Sequence, residues 1–171
     1  VATSKVINLS DVFGDSDQTN KFVTRYLQST HCDLFFADAA ILVEGVAESM
    51  LLPHFIRSTF PELYQRYITI LGVNGRHAHR LSPLIEKLCL PTLVSTDLDP
   101  AEKEGYLKSV VPKRGEGQIS GNYAIAKWLM KEKDIDKLVD YSEDKKEFSF
   151  ASPYRFSIRL AYQTPVKVDF E

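Results

Sequence analysis

Four carboxylates stand at spacings that suit chemistry: Glu44 and Glu48, four residues apart, and Asp97 and Asp99, two apart. Glu44 closes the apolar run Ala39-Ala40-Ile41-Leu42-Val43 and is followed by Gly45 and a helical pattern. That break reads as a buried parallel strand, a tight turn and a helix N-terminus, the edge at which α/β sheets carry their sites. A helix beginning near Gly45 directs Glu44 and Glu48 to one region above the strand, and on an extended segment Asp97 and Asp99 share a face. Four acids in mutual contact repel by roughly several kcal/mol at low effective dielectric unless cations intervene. Hard oxygen ligands select Mg2+, Mn2+ or Ca2+ over Zn2+. A plainer reading stands beside this: a glutamate in a first helical turn is often a dipole partner, and an Asp-x-Asp is often a cap. Each pair alone fits that reading; both pairs on strand ends of one sheet favour a cation site.

The elements that must position these acids follow from hydrophobic periodicity. The first strand is expected over 40–44, and a helix over 47–58 with Met50, Leu51, Leu52, Phe55 and Ile56 inward and Pro53 early enough to be tolerated. Phe60-Pro61-Glu62 starts a second helical piece ending near Arg66. A second strand over 67–71 ends at Gly72, and a helix over 77–88 turns Leu81, Leu84, Ile85 and Leu88 to the core. A third strand over 92–96 stops at Asp97-Leu98-Asp99-Pro100. Alternation of this kind makes a βαβαβ unit with a parallel sheet. With strands one and three side by side, the four acids meet.

Around this core, a helix with Phe22, Val23, Tyr26 and Leu27 on its apolar face is expected over 18–30. A Lys-, Glu- and Gly-rich loop follows over 101–121. Two helices over 122–133 and 134–141 carry Ile125, Trp128, Leu129, Ile135, Leu138 and Val139, with Trp128 in the core. A charged turn spans 142–147, and a last strand spans 155–162. The chain divides into a lead-in (1–37), a core (38–100), a loop and helical subdomain (101–150) and a returning strand (151–171).

Composition excludes some classes. The 171 residues are 44% hydrophobic and 26% charged, ordinary for a soluble domain able to bury one core. A net charge of -2 and a pI near 6.1 argue against a polycationic nucleic-acid coat, though not against a local basic groove. No apolar run approaches the ~18 residues of a membrane span, and no signal peptide pattern opens the chain. A cytoplasmic location is expected. Cys32 and Cys89 lie in no metal-like spacing and are expected to be reduced thiols, buried or half-buried. A start without Met and an end that still reads as strand suggest a piece of a longer protein.

Leu42-Val43-Glu44-Gly45 followed by Asp97-Leu98-Asp99 resembles the Toprim signature, a glutamate after the first strand and an Asp-x-Asp after the third. The wider run is Thr24-Arg25-Tyr26-Leu27-Gln28-Ser29-Thr30-His31, Leu34-Phe35-Phe36-Ala37, Val43-Glu44-Gly45-x-x-Glu48 with Leu51-Leu52-Pro53, and Arg159-Leu160-Ala161-Tyr162-Gln163. It is similar to the C-terminal region of OLD (overcoming lysogenization defect) family nucleases, over about residues 20 to 165. The resemblance implies an α/β Toprim fold, a Rossmann-like parallel sheet with flanking helices, plus a small helical subdomain and a C-terminal strand. It also implies a metal-dependent DNA nuclease or nickase. Glu44, Glu48, Asp97 and Asp99 would hold two Mg2+ or Mn2+ ions about 4 Å apart, as in two-metal phosphodiester cleavage. Ca2+ would be a non-productive occupant. Ser95 or Thr96 would support the site through a hydroxyl, although either also reads as an ordinary strand residue. Family members resemble a fusion with an ABC-type ATPase, but this chain has no Gly-x-x-x-x-Gly-Lys-Ser/Thr run. A lysine expected to assist cleavage in that family has no assigned position here.

Other residues bear on DNA as partner. Arg76, His77, His79 and Arg80 follow the second strand at the same sheet edge, where they would grip a phosphate or merely start a helix. A zinc site at His77 and His79 lacks further ligands. Lys113 and Arg114, beside glycines, are the better phosphate contacts. Lys108, Lys127, Lys131 and Lys133 would extend a basic wall, or simply form a solvated face. Two rival functions stay open. One is a Toprim-like module that only docks DNA or a partner. The other is a haloacid-dehalogenase-like phosphatase using Asp97 and Asp99, weakened by Ala101 where that family has Thr or Val. A homodimer is left open.

Overall fold

The computed structural model describes residues 6, 8, 32–73, 77–103, 110–129, 132–151 and 153–163. The helix expected over 18–30, Arg76, Lys108, Lys131 and the chain beyond residue 163 lie outside these.

The apolar segment Ala39–Val43 forms β1, buried almost throughout. Burial on both faces is what a continuous apolar run requires. The chain then makes α1 (Val46–Thr59), a short α2 (Pro61–Tyr64) and β2 (Ile68–Gly72). A 3-10 turn (Ala78–Leu81) leads into α3 (Ser82–Leu88) and β3 (Thr92–Ser95). A two-stranded antiparallel ribbon of β4 (Pro100–Ala101) and β5 (Ile119–Ser120) follows. Then come α4 (Tyr123–Trp128) and α5 (Ile135–Val139). A 3-10 turn (Glu143–Lys146) precedes β6 (Glu147–Phe150) and β7 (Phe156–Ala161).

The main sheet has the order β2-β1-β3-β7-β6. β1 pairs in parallel with β2 and β3, and β3 in parallel with β7, while β6 is an antiparallel edge. The sheet is thus the parallel-dominated α/β arrangement expected. Strands one and three are neighbours, as the convergence of the acids required. The chain leaves β1 for β2 on one side and then crosses to β3 on the other. The C-terminal ends of β1 and β3 are therefore the switch point, the place where such sheets bind ligands. Leu42, Val94, Ile158 and Leu160 from the sheet are fully buried with Leu84, Ile85, Ile125 and Leu138 from the helices, and Trp128 joins them as expected.

Four expectations need correction. None of α1 is buried: of the five side chains expected inward, Met50, Leu51 and Phe55 remain exposed, and Leu52 and Ile56 are half-covered. The helix meets the sheet at β2, an edge strand, so little sheet lies beneath it. Cys32 is exposed, while Cys89 is half-buried and ends α3 with a left-handed φ of 53°. The helix expected over 122–133 is α4 alone, six residues long. The charged turn ends one residue early, because Glu147 pairs with Arg159 at the start of β6, a strand whose pattern is obscured by charge.

Candidate metal centre

Register places the first acid. Val43 pairs with Ser95, so Glu44 and Thr96 leave the sheet side by side. The Thr96 hydroxyl donates to Glu44 Oε1 in a very short contact, so the hydroxyl that reaches this acid comes from Thr96; Ser95 ends β3 one residue earlier. Ser95 in turn pairs with Ala161, and Thr96 N donates to Ala161 O at 2.9 Å. That carries Gln163 to the Asp97 segment. Its amide oxygen accepts from Leu98 N at 2.7 Å, and its amide nitrogen donates to Asp97 Oδ1.

Asp99 holds a left-handed φ of 46°, uncommon without glycine. Gly121 N donates to its carbonyl at 2.9 Å, tying this strained residue to the end of β5. The next residue, Asn122, is buried and supplies the centre of the network. Its Nδ2 donates to Glu44 Oε1, Thr96 Oγ1 and Asp97 O, each at 2.9 Å, and to Asp99 Oδ2 at 3.2 Å. Carboxylates from the ends of β1 and β3 are thereby bonded to one nitrogen.

Glu48 lies in the first turn of α1, whose N-cap is Gly45. In a capping box the glutamate at this position accepts from the cap's backbone N–H. Here Glu48 Oε2 is buried without a hydrogen-bond partner among the described residues. It occupies the space a side chain at Gly45 would fill: an added Cβ would stand 2.5 Å from it. The glycine of the Glu-Gly-x-x-Glu run makes room for the second carboxylate.

Asp97 feels the others. Burial, then the charges of Glu44, Asp99 and Glu48, push its carboxyl above the usual carboxylate range, while the Gln163 amide works the other way. An all-oxygen set of acids that repel one another, with one buried oxygen left unpartnered, suits a hard divalent cation. Among the described residues, no three His, Cys, Asp or Glu side chains already stand in a group that could hold a metal ion. The acids share a rim without closing into a cage.

The basic candidates fall in two places, the 3-10 turn and the 110–117 segment, with partners of their own. His79 and Arg80 occupy the 3-10 turn against α4, both half-buried, and the His79 ring lies 6.1 Å from that of Tyr123. Burial and then the Arg80 charge lower the His77 pKa. Lys113 pairs with Glu116 at 3.3 Å and Arg114 with Asp140 at 2.5 Å, all four exposed. Asn122 and Gln163 escaped sequence reasoning as site residues. Ser120-Gly121-Asn122 announces a helix cap, but nothing local reports a contact with an acid 78 residues away.

Comparison with known proteins identifies the kind of region. Residues 35–99, which contain all four acids, match the family model described as overcoming lysogenization defect protein-like, TOPRIM domain. The chain is 31% identical over 118 residues to endonuclease GajA of Bacillus cereus (strain HuB5-5), covering 69% of this chain. It spans 17% of that relative's length. No solved structure gives a significant match. Residues 35–99 are thus a Toprim region of the overcoming lysogenization defect-like kind.

Proposed function

We propose that the chain is the nuclease part of a longer protein and cleaves DNA phosphodiester bonds with divalent cations held by Glu44, Glu48, Asp97 and Asp99. The observation that carries the reading is the bonding of Glu44 and Asp99 to one buried amide at the switch point of the sheet. The endonuclease relative supports DNA as substrate, and the small share of its length matched here fits a longer protein in which a further domain, the ATPase that the family resemblance implies, lies outside these residues.

Bound Mg2+ or Mn2+ would supply Lewis acidity at the scissile phosphate. This chain's residues do the rest. Thr96 and Asn122 hold Glu44, Gln163 holds Asp97, and the Gly45 gap admits Glu48. Ser95, ending β3, backs the acids from the strand. His79, Arg80, Lys113 and Arg114 are the candidates for phosphate contacts. Releasing Lys113 and Arg114 from Glu116 and Asp140 costs little, because exposed ion pairs contribute about 0–1 kcal/mol. Without cations the four acids would repel a phosphodiester, so DNA engagement requires them.

The test is supercoiled plasmid incubated with Mg2+ or Mn2+, beside Asp97→Ala and an EDTA control. Nicking that disappears in both controls is expected. Nicking that survives either overturns the proposal. The open arrangement of the acids favours a second reading, a DNA-docking module without cleavage; intact plasmid retained on a filter would select it.

A further inference from the structure

We propose that Asn122 is a positioning residue for the cation site, an uncharged clamp that sets Glu44 and Asp99 from the start of α4. The inference rests on reading those acids as cation ligands. The Asn122 side chain does two separable things. Its Oδ1 caps α4, accepting from Ala124 N at 2.8 Å and Ile125 N at 3.3 Å. Those two donors fix the orientation of the amide, so Nδ2 must face the acids. A cap needs only the oxygen, and serine or aspartate supplies it equally well.

The nitrogen is what capping leaves unexplained. It has two hydrogens, and four acceptors surround it: Glu44 Oε1, Thr96 Oγ1, Asp97 O and Asp99 Oδ2. An aspartate here would add a negative charge to the cluster, and a serine would be too short to reach both sides. An amide supplies donors between carboxylates without adding charge, and it engages one oxygen of each. Asn122 is 1% exposed, so water cannot replace it. It is also rigid, because helix α4 and the Gly121–Asp99 backbone bond hold it from both ends. Groups of this kind behind metal ligands typically govern affinity by about 10–100-fold.

The experiment measures Mn2+ affinity of the whole chain by electron paramagnetic resonance and, separately, thermal unfolding in EDTA. N122S keeps a capping oxygen and loses the two-hydrogen donor; N122T serves the same purpose should N122S fail to fold. D134A is the control, removing a cap of the same kind from α5, where Asp134 accepts from Asp136 N and Lys137 N. N122S is expected to bind Mn2+ about tenfold more weakly while losing less thermal stability than D134A. D134A should bind as tightly as the parent. Parent-like affinity in N122S, or an equal loss in D134A, overturns the clamp alone. A parent chain that takes up no Mn2+ overturns the cation reading, and the clamp with it.

Discussion

Asp97→Asn should stabilise the protein in chelator and destabilise it, relative to the parent, in Mn2+. Asp97 is pushed up by burial and by the charges of Glu44, Asp99 and Glu48. A pair of like unit charges at 4 Å costs about 1 kcal/mol in water and about 4 kcal/mol at an effective dielectric of 20. Asp97 is exposed on one side, so solvent screening brings the combined repulsion to about 1 kcal/mol. Asparagine keeps Oδ1 as the acceptor for Gln163 and removes only the charge. For a chain of 171 residues, relief of that size raises Tm by about 2–4 °C. In Mn2+ at 100 times Kd, the parent instead gains about 2.7 kcal/mol from binding, which the variant largely forgoes. Thermal unfolding followed by circular dichroism, with EDTA and then with Mn2+, should therefore show the two stabilities exchange order. A variant less stable than the parent in EDTA, or the same Mn2+ increment in both, would refute the reasoning.

Gly45→Ala keeps an extended backbone that alanine tolerates (φ -119°) but drives Glu48 Oε2 from its place. Mn2+ affinity should fall while folding stability drops by about 1 kcal/mol or less; unchanged affinity in a titration would count against a ligand role for Glu48. Tyr162 is pushed up to about 12 by burial and by neighbouring Tyr141 and Glu143. The folded state thus keeps a proton that the unfolded chain loses near pH 10. This stabilisation is full below that pH and disappears as pH rises towards about 12. Tyr162→Phe, which also gives up the bond to Leu138 O, should be less stable than the parent at pH 8, and the gap should narrow across pH 10–12. Denaturant titrations at several pH values measure it; a constant gap would show that the phenol does not titrate as described.

Much of the core was legible because its signals are local. An apolar run ending in Glu-Gly, and another ending in Asp-x-Asp, report buried strands that stop at acids, and the spacing of Leu81, Leu84 and Ile85 reports a helix. Glu44, Glu48, Asp97 and Asp99 could therefore be chosen from residue type and position. Signals failed where the outcome depended on what lies opposite. Met50, Leu51 and Phe55 have core-like spacing, yet α1 rests on an edge strand and leaves them exposed. The charges of Glu147 and Arg159 obscured the β6–β7 pairing.

Residue type and spacing alone determined which acids could gather, since periodicity is written into neighbours along the chain. Only the tertiary structure decided what holds them: the β1–β3 register brings Thr96 to Glu44, β7 delivers Gln163, and the cap of α4 delivers Asn122. Those contacts join residues up to 78 positions apart, and a long-range hydrogen bond leaves no periodic trace in sequence.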